Sequence, residues 1–363
     1  MELQMATLYL TEQQTIVKKD GDSLVVHIPE NKQTGTQKRK VRVPLIKIDR
    51  VVVQGNSTLT SPAIAALMEH HAEITFLNQY GRFQGHLAPI FSKNGQLRLA
   101  QTAAHHDPIR HHHLTQAFIH GKLHNMRTML MRAGRKRRDN PTANQAITTA
   151  TENLKQTITA VQASQPDPIM PNPARPQANS AYGRLQGHEG SGTAHYFNTF
   201  PHLLNEPDLF HGRTRRPPRD PVNALLSYGY TILLNQIMSA ICTVGLDPYV
   251  GYLHSSQYGK PALALDLMEE FRPLIVDSVV LTLFNNNILH RKHFIEELGG
   301  AHRLTDYGRR TFLTKLEARF DETITHPTFN YKATYRRSLE LQARLLAKTL
   351  MGEIPAYPPF TVR

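Results

Sequence analysis

The chain has 363 residues, enough to bury a sizeable core in two domains, and its 42 Lys+Arg against 29 Asp+Glu give a formal charge of +13. That balance favours a polyanionic partner, nucleic acid before a membrane surface, because no segment resembles a signal peptide and no run of about 20 apolar residues stands out. A single cysteine, Cys242, excludes an intrachain disulfide and reads as a buried core thiol, so a cytoplasmic setting is expected.

Residues 1–100 read as mostly β. ATLYLT, QQTIVKKD and SLVVHIP are short β-rich runs, with Asp20-Gly21 marking the turn between the last two. LIKIDRVVVQG and AEITFLNQYGRFQGHLAP add strands around one helix, SPAIAALMEHH. No catalytic constellation is evident there, and packing or self-association through a sheet edge is the expected role. From Asp107 the period turns helical, and Asp107-Pro108 is a sound helix start. Leu114, Phe118, Leu123 and Met126 supply its buried stripe, while Lys122, Arg127, Arg132 and positions 135–138 are expected to form a basic surface. The consecutive histidines 111–113 point different ways around a helix, so they cannot converge on one ion and are expected at the surface.

NPTANQAITTATENLKQTITAVQAS fits a polar helix, and the Pro-rich stretch near 165–180 reads as a flexible loop. GRLQGHEGSGTAHYFNTF follows, with Glu189 as its only acid. Taken alone, Glu189 is an ordinary loop residue. Next come Arg213, Arg215, Arg216 and Arg219, close together in a loop stiffened by prolines, where guanidinium forks suit phosphate oxygens. Asp220 caps the helix that starts at Pro221, with Leu225, Leu226, Tyr230 and Leu233 as its core face.

The stretch HSSQYGKPALALDLMEEFRPLIVD, from His254 to Asp277, is the chemical centre of the chain. Pro261 fits a first helical turn, Leu263, Leu267 and Phe271 share an apolar face, and Asp266, Glu269 and Glu270 are expected to share the other. Carboxylates with one imidazole, His254, suit Mg2+ or Mn2+. Glu189 is a plausible third ligand beside them. The bland alternative is a solvated acidic helix face and a loop histidine. LIVDSVVLTLFNNN then reads as a buried helix that Pro273 kinks or starts. TDYGRRTFLTKLEARF is a helix capped by Thr305, and YKATYRRSLELQARLLAKTLMG is amphipathic through Tyr335, Leu339, Ala343, Leu346 and Leu350. The proline-bearing tail EIPAYPPFTVR ends the fold.

GRTRRPPRDPVNALLSYGY, the histidine of GYLHSSQYGKPALALDLMEEFRP and Asp277 just after it together resemble the CRISPR-associated protein one family. AFIHGKLHNMRTMLMR and the Glu189-Gly190 pair fit the same pattern, and the resemblance spans nearly the whole chain in the expected order. It implies an α+β fold: a small N-terminal β-sandwich-like domain (1–100) used for dimerisation, then a larger all-α catalytic domain (101–363). It implies a metal-dependent DNA endonuclease and integrase that joins 3′-hydroxyl ends of short duplexes into a repeat array by transesterification. Carried over by position, Glu189, His254 and Glu269 are its ligands, with Asp266 on the same helix as an orienter or extra ligand. His195 stands where a cation is expected after the Glu-Gly pair. The implied partners are double-stranded DNA, a second copy of the chain and the small ferredoxin-like second adaptation protein. Two other classes fit the residues alone: a non-catalytic basic nucleic-acid-binding protein, and a metal-dependent phosphoesterase of small substrates.

Overall fold

The computed structural model describes residues 6–30, 37–79, 83–88, 94–137, 139–167, 180–297 and 299–362. Most of the expected Pro-rich loop, 168–179, and Arg138 lie outside them. The chain divides into two compact units, Met1–Phe91 and Ser92–Arg363.

The first unit is built from β1 (Ala6–Leu10), β2 (Thr15–Asp20), β3 (Ser23–Ile28), β4 (Arg39–Pro44), β5 (Ile48–Gln54), β6 (Ser57–Leu59), α1 (Ser61–Glu69), β7 (Glu73–Leu77) and β8 (Phe83–Leu87). They form two four-stranded sheets, β1-β5-β7-β8 and β4-β3-β2-β6. The turn at Asp20-Gly21 closes the antiparallel β2–β3 ladder, with Asp20 opposite Ser23. β5 pairs in parallel with both β1 and β7, and its Val51, Val52 and Val53 are all buried, as a central parallel strand requires. Val17, Leu24 and Val26 of one sheet meet Val51, Val53 and Ile74 of the other in a single core closed by Ala66 and Leu67 of α1. The sandwich-like expectation is met, with mixed rather than purely antiparallel sheets.

The second unit starts earlier than expected. α2 (Gly95–His106), capped by Asn94, whose Oδ1 accepts from Leu97 N at 3.1 Å, belongs to it, so the boundary lies at 91/92 and not at 100/101. α3 (Pro108–Gly134) follows at once, with Asp107 accepting from the amides of Ile109 (2.9 Å) and Arg110 (3.1 Å). α4 (Pro141–Ala163) is the polar helix anticipated, and α5 (Ala181–Thr199) takes in the whole glycine-rich stretch around Glu189, which is therefore helical and not a loop. α6 (Pro221–Val244) is followed by α7 (Ala262–Arg272). Pro273 cannot donate to the helical ladder, and a π turn over Pro273–Asp277 carries the chain into α8 (Ser278–Asn285). The Leu274 carbonyl accepts from Ser278 Oγ at 2.6 Å and from Arg319, at 2.8 Å from Nε and 2.7 Å from Nη2.

The unit is not purely helical. β9 (Phe294–Glu297) and β10 (Ala301–Leu304) form one antiparallel ribbon; β11 (Thr323–Thr325) and β12 (Lys332–Thr334) form another, flanking α9 (Asp306–Asp321) and leading into α10 (Tyr335–Leu350). Thr305 and Thr334 cap α9 and α10 through their hydroxyls. Among the described residues one helix, α6, is long and apolar enough to cross a membrane, an apolar run that the sequence pattern does not set apart; 78% of its apolar window is buried inside the unit, as in a core helix.

α3 packs against α4, α5 and α7 at once. Enclosure on several sides reverses two surface expectations: His111 and His112 are buried and only His113 of that run is exposed, and Lys122 is buried too. The tail is no mere terminus either. Tyr357 and Phe360 are buried, Asn125 donates to the Phe360 carbonyl (2.7 Å), and Glu270 accepts from Tyr357 Oη and the Phe360 amide, each at 2.9 Å. Burial pushes the Glu270 carboxyl up to about 8 against those hydrogen bonds.

Candidate active site

α7 does not present an acidic face to solvent. Asp266, Glu269 and Glu270 are all buried and diverge: Glu270 holds the tail, Asp266 holds the loop before the helix, and Glu269 meets Lys122 of α3. Pro261 is the N-cap position, and the first amides of α7 reach the Pro248 carbonyl, Leu263 N at 3.0 Å.

The loop carrying His254 is fixed by Asp266. One carboxylate oxygen accepts from the amides of Tyr252 (2.6 Å) and Leu253 (3.1 Å). The other accepts from the His254 amide at 2.8 Å and lies 2.8 Å from His254 Nδ1. That carboxylate oxygen accepts a hydrogen bond from Nδ1–H, the tautomer in which the neutral ring carries its lone pair on Nε2. That Nε2 is 4.0 Å from Glu269 Oε1. Behind the loop, Gln101 donates to the carbonyls of Asp247 and Val250 (2.8 Å each), Thr115 to that of Tyr252 (3.1 Å) and Tyr182 to that of Leu253 (2.7 Å). Gly251 permits this closeness: a Cβ there would stand 2.6 Å from the Ala262 carbonyl carbon and 2.8 Å from Asp266 Oδ2.

Glu269 accepts from Arg272 Nη1 at 2.7 Å on Oε1, and its Oε2 lies 2.8 Å from Lys122 Nζ. Burial alone would raise its carboxyl, but the Arg272 and Lys122 cations outweigh that and hold it far below the usual carboxylate range. The same Lys122 ammonium contacts Glu189 Oε1, which also accepts from Thr193 Oγ1 at 3.1 Å. Glu189 and Glu269, on separate helices, thus meet on one cation, with His254 Nε2 beside them. α5 comes close enough to α3 because Gly192 lies against Leu123: a Cβ at Gly192 would be 2.4 Å from Leu123 Cδ2. His195 turns away and accepts from Asn153 Nδ2 at 3.4 Å.

The donor set fits a hard divalent ion: two carboxylates, an imidazole nitrogen with a free lone pair, and a buried oxygen, Glu269 Oε2, that has a cation nearby but no well-directed hydrogen bond. Among the described residues no three such side chains already converge at ligand distance, because the Lys122 ammonium stands between the two glutamates. Lys122 and Arg272, which pair with Glu269, lie within the quoted motifs, but the motifs do not single them out as site residues. A signal for Lys122 does exist in the sequence: it lies four residues from both Phe118 and Met126, on the apolar stripe of α3.

The arginine loop splits in function. Arg213 is not held out toward solvent; it donates to Asn223 Oδ1 (2.7 Å) and Ser227 Oγ (3.3 Å) and lies 5.5 Å from the Tyr230 ring, and burial lowers its guanidinium to about 10. Arg272 stacks on the same ring at 4.0 Å. Tyr230 and Tyr196 both donate to Asp277, which burial pushes up to about 6. Arg215, Arg216 and Arg219 are exposed.

Residues 8–318 match the family described as CRISPR associated protein Cas1. The chain belongs to the Cas1 family. A CRISPR-associated endonuclease Cas1 of Thermus thermophilus is 36% identical over 99% of this chain and 98% of its own length. A Cas4/Cas1 fusion of Geobacter sulfurreducens is also 36% identical, over 98% of this chain, which spans 60% of the fusion. Among solved structures, a casposase bound to integration product matches with a TM-score of 0.81 over 99% of this chain and 95% of that one, at 22% identity, a likeness of fold. The chain of a Cas6-RT-Cas1–Cas2 complex matches with a TM-score of 0.74 at 26% identity, covering 100% of this chain and 36% of that one. This chain is accordingly a Cas1-family endonuclease of CRISPR adaptation.

Proposed function

We propose that Glu189, His254 and Glu269 hold a divalent ion, Mg2+ or Mn2+, and that the site cuts and joins DNA at a backbone phosphate. The observation that carries this reading is the meeting of Glu189 and Glu269 on one cation, with the free Nε2 of His254 4.0 Å from Glu269. When bound, the ion supplies polarisation of the phosphoryl group and neutralisation of the charge that gathers on its oxygens during displacement.

The chain's own residues do the rest. Asp266 fixes the ring orientation and tautomer of His254 and is a positioning residue. Arg272 keeps Glu269 ionised in a buried setting and, through Tyr230, ties the site to the base of the arginine loop. Arg215, Arg216 and Arg219 hold the duplex by its phosphates, without reading bases. A DNA 3′-hydroxyl displaces the leaving oxygen of the phosphodiester to join strands; water in the same place gives cleavage. In this reading the N-terminal unit pairs two copies through its sheet edges, and the dimer assembles on DNA with Cas2, the small second adaptation protein. The relative solved within a Cas6-RT-Cas1–Cas2 complex supports that last step.

A supercoiled-plasmid assay with a short 3′-ended duplex tests the assignment. With Mn2+, wild type joins strands, whereas His254→Ala and Glu269→Gln retain DNA and join none. Joining at the wild-type rate by either variant overturns it.

A further inference from the structure

The Lys122 ammonium fills the space an ion would need. Its side chain is only 2% exposed, a costly state for a lysine unless it is closely paired, and its charged contacts are Glu189 Oε1 and Glu269 Oε2. Those are the oxygens of the two carboxylates assigned to the metal. An ion coordinated by both has to lie between them, where Nζ now stands. The charge count agrees: Glu189 and Glu269 are matched by Lys122 and Arg272, so this cluster is balanced without any divalent ion.

We propose that Lys122 is a displaceable stand-in for the divalent ion. In the metal-free protein its ammonium draws two carboxylates on separate helices together and prevents their mutual repulsion. On metal entry it gives up that position, and the cluster then carries surplus positive charge that a DNA phosphate oxygen satisfies. The site therefore holds its ion weakly until nucleic acid arrives, and metal and DNA reinforce one another's binding. This rests on the reading that Glu189, His254 and Glu269 are the ligands.

Calorimetric titration of the full chain with Mn2+ alone, without DNA, separates the two claims. Lys122→Met is expected to bind Mn2+ at least about tenfold more tightly than wild type, because no ammonium has to be expelled. It is also expected to melt below wild type in EDTA, with Mn2+ closing the gap. Lys122→Gln, which keeps a polar end, gives the same sign and serves if the Met variant does not fold. Equal or weaker Mn2+ binding by these variants, with wild-type binding abolished by Glu269→Gln, overturns the stand-in role and leaves the ligand assignment intact. Identical Mn2+ binding by wild type and Glu269→Gln defeats the ligand assignment and the inference with it.

Discussion

Glu269 is a full charge at 3% exposure, and it survives there because Arg272 and Lys122 supply two cations within hydrogen-bonding range. Removing either partner of such a cluster costs about 3–5 kcal/mol, since the remaining charge stays buried. His111 is the opposite case, a buried base kept neutral. It sits among the rings of His105 (5.5 Å), Tyr182 (5.5 Å) and Tyr252 (5.7 Å), and burial first, then the neighbouring His105 and His112, lower its pKa to about 3. The unfolded chain takes up that proton near the ordinary 6.5 and the folded chain refuses it. Its contribution to stability is therefore complete above pH 6.5 and drains away as pH falls toward 3. By about pH 4 the loss is on the order of 3 kcal/mol. Melting curves between about pH 7 and 4 should show a decline that is clearly shallower in His111→Phe; parallel declines would contradict this account of the histidine.

Helix starts are legible because their chemistry is local. Asp107-Pro108, Asp220-Pro221 and Thr305 each supply an oxygen to a free amide, and each begins the helix where its sequence says. The last helix, expected from Tyr331, starts only at Tyr335 behind the Thr334 cap, because Lys332–Thr334 pair as a strand. Burial on α3 is not legible, because it is set by α4, α5 and α7 arriving from elsewhere in the chain. α5 misleads for a related reason. Its glycines lower helix propensity, and only contact with α3 shows why one of them, Gly192, is there: it leaves room for Leu123, whereas a Cβ at Gly187 or Gly190 would meet nothing within 4 Å. His254, Asp266 and Glu269 stand out as candidates from one continuous stretch, though not the divergence of its three acids, whereas Lys122 requires knowing which face of α3 meets α7. At Gly251 the loop and α7 touch backbone to backbone. Gly251→Ala is expected to cost about 2 kcal/mol or more, because the Ala262 carbonyl carbon cannot yield as a side-chain tip can. Since the same shift moves His254, strand joining should fall with denaturant stability; a variant unchanged in both would show the close approach to be irrelevant.

Across the whole molecule, the formal charge of +13 gives a long-range pull on DNA that is separable from the chemistry. Arg213 braces its loop against Asn223 and Tyr230, so the proposed duplex contact rests on the exposed Arg215, Arg216 and Arg219. Replacing these three by alanine should reduce the slope of log affinity against log salt by roughly 2.7, about 0.9 for each phosphate no longer neutralised. An unchanged slope would place the duplex on another face. The C-terminal residues belong to the same architecture: Tyr357 and Phe360 donate to Glu270, the residue next to a proposed ligand, so the proline-bearing tail is packed against α7.

The central claim is that one divalent cation is held by side chains from α5, α7 and the loop between α6 and α7. Crystals of the full chain soaked in Mn2+ and measured for anomalous scattering address it directly. The account predicts a strong peak bounded by Glu189, His254 and Glu269, with the Lys122 ammonium moved aside. A map with no peak there, and Lys122 still seated between the two glutamates, would contradict it.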